Sequence, residues 1–164
     1  MTEVNQSPIT LSEVLSETEK YDVMSTHVLN AEENRVIKYN KYFDTEKVQE
    51  LIIELFEDMQ YAVENDIPFF ENDEQLIKYE MLLIIKYFSH FKAEIGESFE
   101  EKIQALHALF KTGLFDLFFE ELFLENEVVN VMERVNQTAE RAVFIEKNMT
   151  EQLEKVENKE ILKK

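Results

Sequence analysis

The three histidines, His27, His90 and His107, are the side chains of this sequence best suited to metal binding or proton transfer. Helical di-metal sites need Glu-x-x-His pairs that project into a bundle, and none of the three histidines follows a glutamate at that spacing. The His-Glu-x-x-His motif of zinc enzymes is also missing. We therefore predict no metal site, and we expect His90 and His107, which adjoin apolar stripes, to pack in the core or at its rim.

Acidic side chains are abundant, but their spacing predicts neither a catalytic pair nor a calcium loop. Glu100 and Glu101 are adjacent on a predicted helix, as are Glu120 and Glu121, so each pair diverges instead of sharing one face. The acidic connector at 64–75 lacks the glycine that a calcium loop needs at its sixth position. We expect these carboxylates to form an ordinary solvated surface.

Cysteine and glycine usage excludes further classes of chemistry. The chain has no cysteine, which excludes disulfides, thiol catalysis and thiolate metal sites. With only Gly96 and Gly113, it can form neither a phosphate-binding nor a dinucleotide-binding glycine loop. The sequence therefore predicts a protein that is not an enzyme, with no catalytic, cofactor-binding or metal-binding residue.

Charge and hydrophobicity limit the classes of partner. The 164 residues fit one domain, or one domain with an appendage. The formal net charge of −18 opposes direct binding to nucleic acid or to an anionic membrane. The longest wholly apolar run, at 81–85, is far too short to span a membrane. The N-terminus has no basic region followed by an apolar stretch. We therefore expect a cytoplasmic protein without a membrane partner.

The first third of the chain carries weak signals for secondary structure. Thr10 and Glu13 form a capping-box pattern that predicts a short helix over about 11–20, after a loose tail at 1–9. The following residues are ambiguous, and residues 36–39 are either a short strand or the end of a loop.

A strongly amphipathic helix follows. Asp44 is its predicted cap, apolar residues recur at three- and four-residue steps from Val48 to Val63, and Pro68 requires it to stop. Its acidic side chains are placed mostly on the opposite, solvent-facing side: Glu46, Glu50, Glu54, Glu57 and Asp58.

Three further helical segments complete the predicted body. The segment at 73–92 is apolar nearly all round, which is typical of the buried centre of a bundle. A second capping box at Ser98 predicts a helix over 99–111. Gly113 is placed as a left-handed cap, and 114–124 form another short apolar helix.

The last helix, predicted over 126–157, differs in charge from the body. Residues 41–125 contain 20 acidic and 7 basic side chains, whereas residues 126–164 contain 8 and 7. Apolar and small residues alternate four and three positions apart along it, which indicates a narrow seam. The helix therefore either packs along the body or projects to pair with a partner or a second copy of the chain.

Phenylalanine is unusually dense, above all in the segment 114–124. One reading is a core rich in phenylalanine, and the other is an exposed groove for a partner. The candidate partner-binding residues, from the seam and from this segment, are Val131, Val135, Ala142, Ile145, Met149, Phe115, Phe118 and Phe119.

These elements predict an all-α fold. We expect a bundle of five or six helices with a long C-terminal helix, and one short N-terminal strand if residues 36–39 are extended. The predicted organisation is an N-terminal extension at 1–35, an acidic helical body at 36–125 and the long helix at 126–164.

The order of the central segments resembles that of a known group. The sequence VIKYNKYF at 36–43 leads into the helix at 47–59, and the body at 76–91 and the GLFD turn at 113–116 follow. Over residues 36–125 this is similar to small acidic helical proteins encoded among the structural genes of bacteriophages of Gram-positive hosts. The resemblance implies a virion accessory protein or an assembly factor of chaperone or scaffold type, located in the host cytoplasm or in the virion, whose partner is a phage or host protein.

An acidic inhibitor that imitates nucleic acid is the alternative function. Duplex DNA presents about one charge per 1.7 Å, and a decoy would need long lines of carboxylates. The lines in this sequence are short, and lysines such as Lys78, Lys86 and Lys102 interrupt them. High salt would abolish binding by a decoy but would spare binding through an apolar surface.

Overall fold

The computed structural model describes residues 7–161 of the chain, and side chains up to residue 156. The first six residues of the predicted tail lie outside the described residues. The elements in chain order are α1 (Leu11–Asp22), β1 (Met24–Asn30), β2 (Arg35–Asn40), α2 (Thr45–Glu64), a 3-10 turn (Pro68–Glu71), α3 (Asp73–Phe88), a 3-10 turn (His90–Ala93), α4 (Phe99–Lys111), α5 (Leu114–Leu117), a π-helical turn (Phe118–Leu122) and α6 (Glu125–Ile161).

The fold is mostly helical, with a long C-terminal helix as predicted, but it is not all-α. β1 and β2 form an antiparallel hairpin in which Met24 lies opposite Asn40 and Val28 lies opposite Val36. The side chain of Asn30 accepts hydrogen bonds from two backbone amides of the turn, those of Glu32 and Glu33. The predicted strand at 36–39 is therefore part of β2, and its partner β1 lies in the stretch that the sequence left ambiguous.

The helix boundaries follow the capping signals. At α1 the backbone amide of Thr10 donates to Glu13 at 2.6 Å, and the amide of Glu13 donates back to the Thr10 hydroxyl at 3.3 Å. At α4 Ser98 and Glu101 form the same reciprocal pair. Gly113 has a φ of 73°, in the left-handed region that favours glycine, as predicted.

α3 is the centre of the core, and it ends earlier than predicted. Leu82 to Ile85 are completely buried, as expected for a helix that is apolar on nearly every side. The helix stops at Phe88 instead of residue 92 because Ser89 takes an extended conformation and pairs with Tyr39. The chain then continues as a 3-10 turn.

The segment predicted as one short helix over 114–124 is divided. α5 makes one turn, and a π-helical turn then closes with the amide of Phe123 donating to the carbonyl of Phe118 at 2.8 Å. A π turn takes an extra residue. As a result, Phe123 is buried together with Phe118 and Leu122, whereas a regular helix would turn it about 140° away from Phe118.

The chain divides into two compact units, one ending at Glu127 and the other starting at Val128. The predicted boundary at residue 35 falls inside the β-hairpin, because residue 35 begins β2 and pairs with Asn30. Within residues 7–161, no helix combines the length and the apolar character that crossing a membrane requires.

Candidate functional site

A buried ionic cluster lies between α2, α3 and α4. Lys86 Nζ is 2.7 Å from Glu54 Oε1 and 3.1 Å from Glu97 Oε2. Lys102 Nζ is 2.7 Å from the same Glu54 oxygen and 2.8 Å from Asp58 Oδ2. The two lysine side chains are only 2% and 3% exposed. Each helix thus contributes a charge that is neutralised by its neighbours.

Two tyrosines complete the cluster. The Tyr79 hydroxyl donates to Asp58 Oδ2 at 2.7 Å, and the Tyr87 hydroxyl donates to Glu54 Oε2 at 2.5 Å. Every buried polar side-chain atom among the described residues has a hydrogen-bond partner. A buried charge is costly unless it is paired and hydrogen-bonded, and this cluster meets that condition.

The sequence interpretation of these residues was wrong. The sequence predicts Glu54 and Asp58 on the solvent-facing side of their helix, and Lys86 and Lys102 among the surface charges. All four are buried. Lys86, within an almost wholly apolar helix, was the signal that a carboxylate must meet it from a neighbouring element.

The contacts within the cluster determine the protonation states of Glu54 and Lys102. Burial by itself would raise the pKa of Glu54, but hydrogen bonds from Lys102, Lys86 and Tyr87 outweigh it and lower the pKa. Burial would lower the pKa of Lys102, and its contacts with Asp58 and Glu54 raise it instead. The carboxylate and the ammonium group therefore stay ionised at neutral pH, which suits a structural clamp better than a proton-transfer site.

A cleft of about 370 Å³ opens over one side of the cluster. Its lining includes Glu50, Glu57 and Glu97 besides the cluster residues Glu54 and Lys102. Among the described residues, no group of three or more histidine, aspartate or glutamate side chains is placed to hold a metal ion. The cleft therefore presents an acidic rim around charges that already have partners.

Among the residues whose side chains are described, Glu80 is a buried carboxyl group outside the cluster. Burial raises its pKa to about 7, above the value of 4.5 for an exposed glutamate. Between these two pH values the folded state binds more protons than the unfolded state, so stability falls as the pH rises through 7.

We expect Glu80→Gln to stabilise the protein by about 1–2 kcal/mol at about pH 8, where the wild-type carboxylate must be ionised in a buried position. At about pH 4 the gain should vanish, because both states of the wild type are then protonated. Denaturant unfolding at the two pH values measures it, with the exposed Glu71→Gln as the control. An equal gain at both pH values would contradict this account of Glu80.

The candidate phenylalanines lie mostly in the core. Phe115 and Phe118 are buried, and Phe119 is half-buried. Phe115 stacks on Phe110 with ring centroids 4.1 Å apart, and Phe118 lies 5.1 Å from Phe123. The expectation of an exposed groove is therefore wrong for Phe115 and Phe118. Their aromatic contacts match the core reading, and partner binding by Phe119 stays a prediction.

The candidate residues of α6 fall into two groups. Val131 and Val135 are buried, whereas Ala142, Ile145 and Met149 are exposed, the last two at 57% and 60%. A surface for a second molecule can therefore include only the later group.

Two N-terminal surfaces that the sequence analysis did not propose are apolar and exposed. None of the twelve residues of α1, all of which the structure describes, is buried. Leu11, Val14 and Leu15 form one stripe on this helix, which we call the α1 face. On the hairpin, the cross-strand pair Val28 and Val36 is also exposed. The helical spacing of the α1 face was visible in the sequence, but its exposure was not.

The hairpin holds α1 at its C-terminal end. The side-chain amide of Asn40 donates to the carbonyl of Tyr21 at 3.2 Å and lies 3.5 Å from that of Val23. On the other side of β2, His90 Nδ1 accepts from the backbone amide of Lys38 at 3.2 Å. This histidine is half-buried at the rim of the core, in the position expected for it, whereas His107, for which the same position was expected, is exposed.

Comparison with known proteins identifies the family. No curated protein matches the chain, and no solved structure matches it. The family model YomO matches residues 11–163, which include α1, the hairpin, the ionic cluster and α6. The chain therefore belongs to the YomO family.

Proposed function

We propose that this protein is a non-enzymatic interaction protein that binds another protein through the α1 face. The observation that carries the proposal is that α1 is amphipathic and yet leaves its apolar stripe uncovered. Leu11 is 73% exposed and Leu15 is 60% exposed. An amphipathic helix that places such a stripe in a hydrophobic groove is a common mode of recognition between proteins.

The stability of α1 supports the same proposal. A helix of twelve residues is marginal in water on its own, and most helices gain their stability from packing an apolar face. In α1 the capping box at Thr10 and the contacts of Asn40 hold the two ends. A partner that covers the α1 face would supply the missing packing.

The biological setting that we propose is the assembly of a bacteriophage particle. The support is the resemblance of residues 36–125 to small acidic helical proteins encoded among phage structural genes. In this setting the protein is a virion accessory protein or an assembly factor, its partner is a phage or host protein, and it acts in the host cytoplasm or in the virion.

The ionic cluster supports a role without catalysis. Its lysines are held by Glu54 and Asp58, and its tyrosines donate to the same carboxylates. The cluster also weakens the alternative of a nucleic-acid mimic. Glu54 and Asp58 are withdrawn from the surface, which shortens the rows of carboxylates that a decoy would present.

The proposal is tested by copurification from cells that express the neighbouring genes. We expect the wild-type protein to retain its partner at about 1 M salt, where charge interactions are screened within about 3 Å. Leu15→Glu should reduce the retained partner at least about tenfold, because a charge would have to be buried in the groove. Ser16→Glu adds the same charge next to it, outside the α1 face, and should retain the partner.

Equal retention by Leu15→Glu and Ser16→Glu would contradict binding through the α1 face. Complete loss of the partner of the wild-type protein at high salt would instead favour the acidic inhibitor. Circular dichroism of each variant separates loss of binding from loss of folding, since both substituted side chains are exposed.

A further inference from the structure

The C-terminal half of α6 carries an exposed apolar stripe. From Glu140 to Val156 every side chain is exposed except Asn148, which is half-buried. Four large apolar side chains in this stretch are between 55% and 63% exposed and share one side of the helix with Ala142. We call the five residues the α6 stripe: Ala142, Ile145, Met149, Leu153 and Val156.

The spacing of the stripe is that of a coiled-coil seam. Ala142, Ile145 and Met149 are separated by three and then four residues, and Val156 follows one heptad after Met149. These are successive a and d positions, with Gln152 at the remaining d position and Leu153 beside it at an e position. An apolar stripe of this width is covered by one other helix.

The charges that flank the stripe select a second copy of the chain in parallel orientation. Arg141 precedes Ala142 at a g position, and Glu146 follows Ile145 at an e position. In a parallel pair in register, Arg141 of each copy meets Glu146 of the other, which gives two attractive contacts. In an antiparallel pair, Arg141 would meet Lys155, which is also at a g position, and the contact would be repulsive.

The charge balance of this region permits two copies to meet. Residues 126–164 carry 8 acidic and 7 basic side chains, a net charge of −1. The remaining 125 residues therefore carry −17 of the total of −18, so self-association elsewhere would bring strongly like-charged surfaces together.

We propose that the α6 stripe is covered by the same stripe of a second copy, in a parallel, in-register, two-stranded coiled coil over residues 141–156. The contact is about two heptads long, so the dimer should form at micromolar to submillimolar concentrations. This inference is independent of the α1 face, which lies on a different element and is proposed to bind a different protein.

Cysteine cross-linking tests both the contact and its direction, because the chain contains no cysteine of its own. We expect Ala142→Cys and Val156→Cys each to form a disulfide-linked dimer with itself under mild oxidation at about 100 μM. Val143→Cys, on another side of the helix and 65% exposed, is the matched control and should remain monomeric.

Two outcomes would overturn the inference. If Ala142→Cys and Val156→Cys link to each other in a mixture but not to themselves, the helices are antiparallel. If neither position links and light scattering gives the 19.6 kDa of a single chain at about 100 μM, the second copy does not cover the stripe. A partner of another kind would then be the occupant.

Light scattering of charge variants provides a second, independent measurement. Ile145→Glu should reduce the measured mass from that of two chains to that of one, because a carboxylate at a d position cannot be buried without cost. Val143→Glu adds the same charge outside the stripe and should leave the dimer intact. Leu15→Glu should also leave it intact, so that failure of this inference and failure of the α1 proposal are distinguishable.

Discussion

Glu54→Gln is expected to destabilise the folded protein by about 3 kcal/mol at neutral pH. The Glu54 carboxylate lies between Lys86 and Lys102 at 2.7 Å from each ammonium group. Removing one partner of a buried ion pair is strongly destabilising because it leaves an uncompensated charge in the interior. Urea unfolding followed by circular dichroism measures the change in the free energy of unfolding.

The pH dependence gives this prediction a second readout. The pKa of Glu54 is lowered in the folded state, so its contribution is present above the unfolded pKa of 4.5 and is lost as the pH falls through the folded pKa. The difference between wild type and Glu54→Gln should therefore shrink in acid. The control is Glu57→Gln, one turn along α2 and exposed. A loss for Glu54→Gln no larger than that of the control would rule out the clamp.

The second large effect is expected for Phe88→Ala, which should lower the free energy of unfolding by about 4 kcal/mol. Phe88 is completely buried at the end of α3, and its ring stacks on that of Phe43 with centroids 3.9 Å apart. Truncation removes the ring from the core and leaves a cavity that its surroundings fill only in part. Thermal and urea unfolding both measure the loss.

Phe110→Ala is the matched control for this substitution. The ring of Phe110 also stacks on a phenylalanine, Phe115, at 4.1 Å, but Phe110 itself is 38% exposed. Its truncation should therefore cost about 1–2 kcal/mol less than that of Phe88. Equal costs would show that aromatic stacking, and not burial in the centre of the core, sets the stability here.

The parts of the fold that could be predicted from the sequence depend on local signals. The two capping boxes at Thr10 and Ser98 need only residues three positions apart, and both helices start where they predict. The left-handed conformation of Gly113 concerns the backbone of that one residue, so no distant contact is needed to predict it. The apolar character of 73–88 likewise indicates burial without knowledge of the neighbours.

The parts that could not be predicted depend on contacts between distant residues. Glu54 and Lys102 are 48 positions apart, and only the packing of α2 against α3 and α4 turns two surface-type residues into a buried pair. The apolar residues of β1 do not alternate with polar ones along the strand, and its pairing with β2 decides its conformation. From the sequence, the phenylalanines of 114–124 could form a core or a groove, and only the fold shows that Phe118 is buried.

The candidate binding surfaces were likewise predicted only in part from the sequence. The three- and four-residue spacing of the α1 face and of the α6 stripe is visible in the sequence. On the last helix this spacing predicted a seam that faces the body or a partner. Which part of a stripe is covered is a property of the folded chain, as Val135 and Ile145 show, since they share one seam and differ in burial. For α1, the sequence predicted the helix, but only the structure shows that its apolar face is exposed.

Site-specific photocrosslinking in living cells tests most directly whether the α1 face contacts another protein. A photoreactive amino acid at Leu15 should link the chain to one discrete protein in cells that express the neighbouring genes. The same amino acid at Glu17, outside the α1 face, should give no such product. A product of the same size and yield from both positions, or none from Leu15, would contradict the claim.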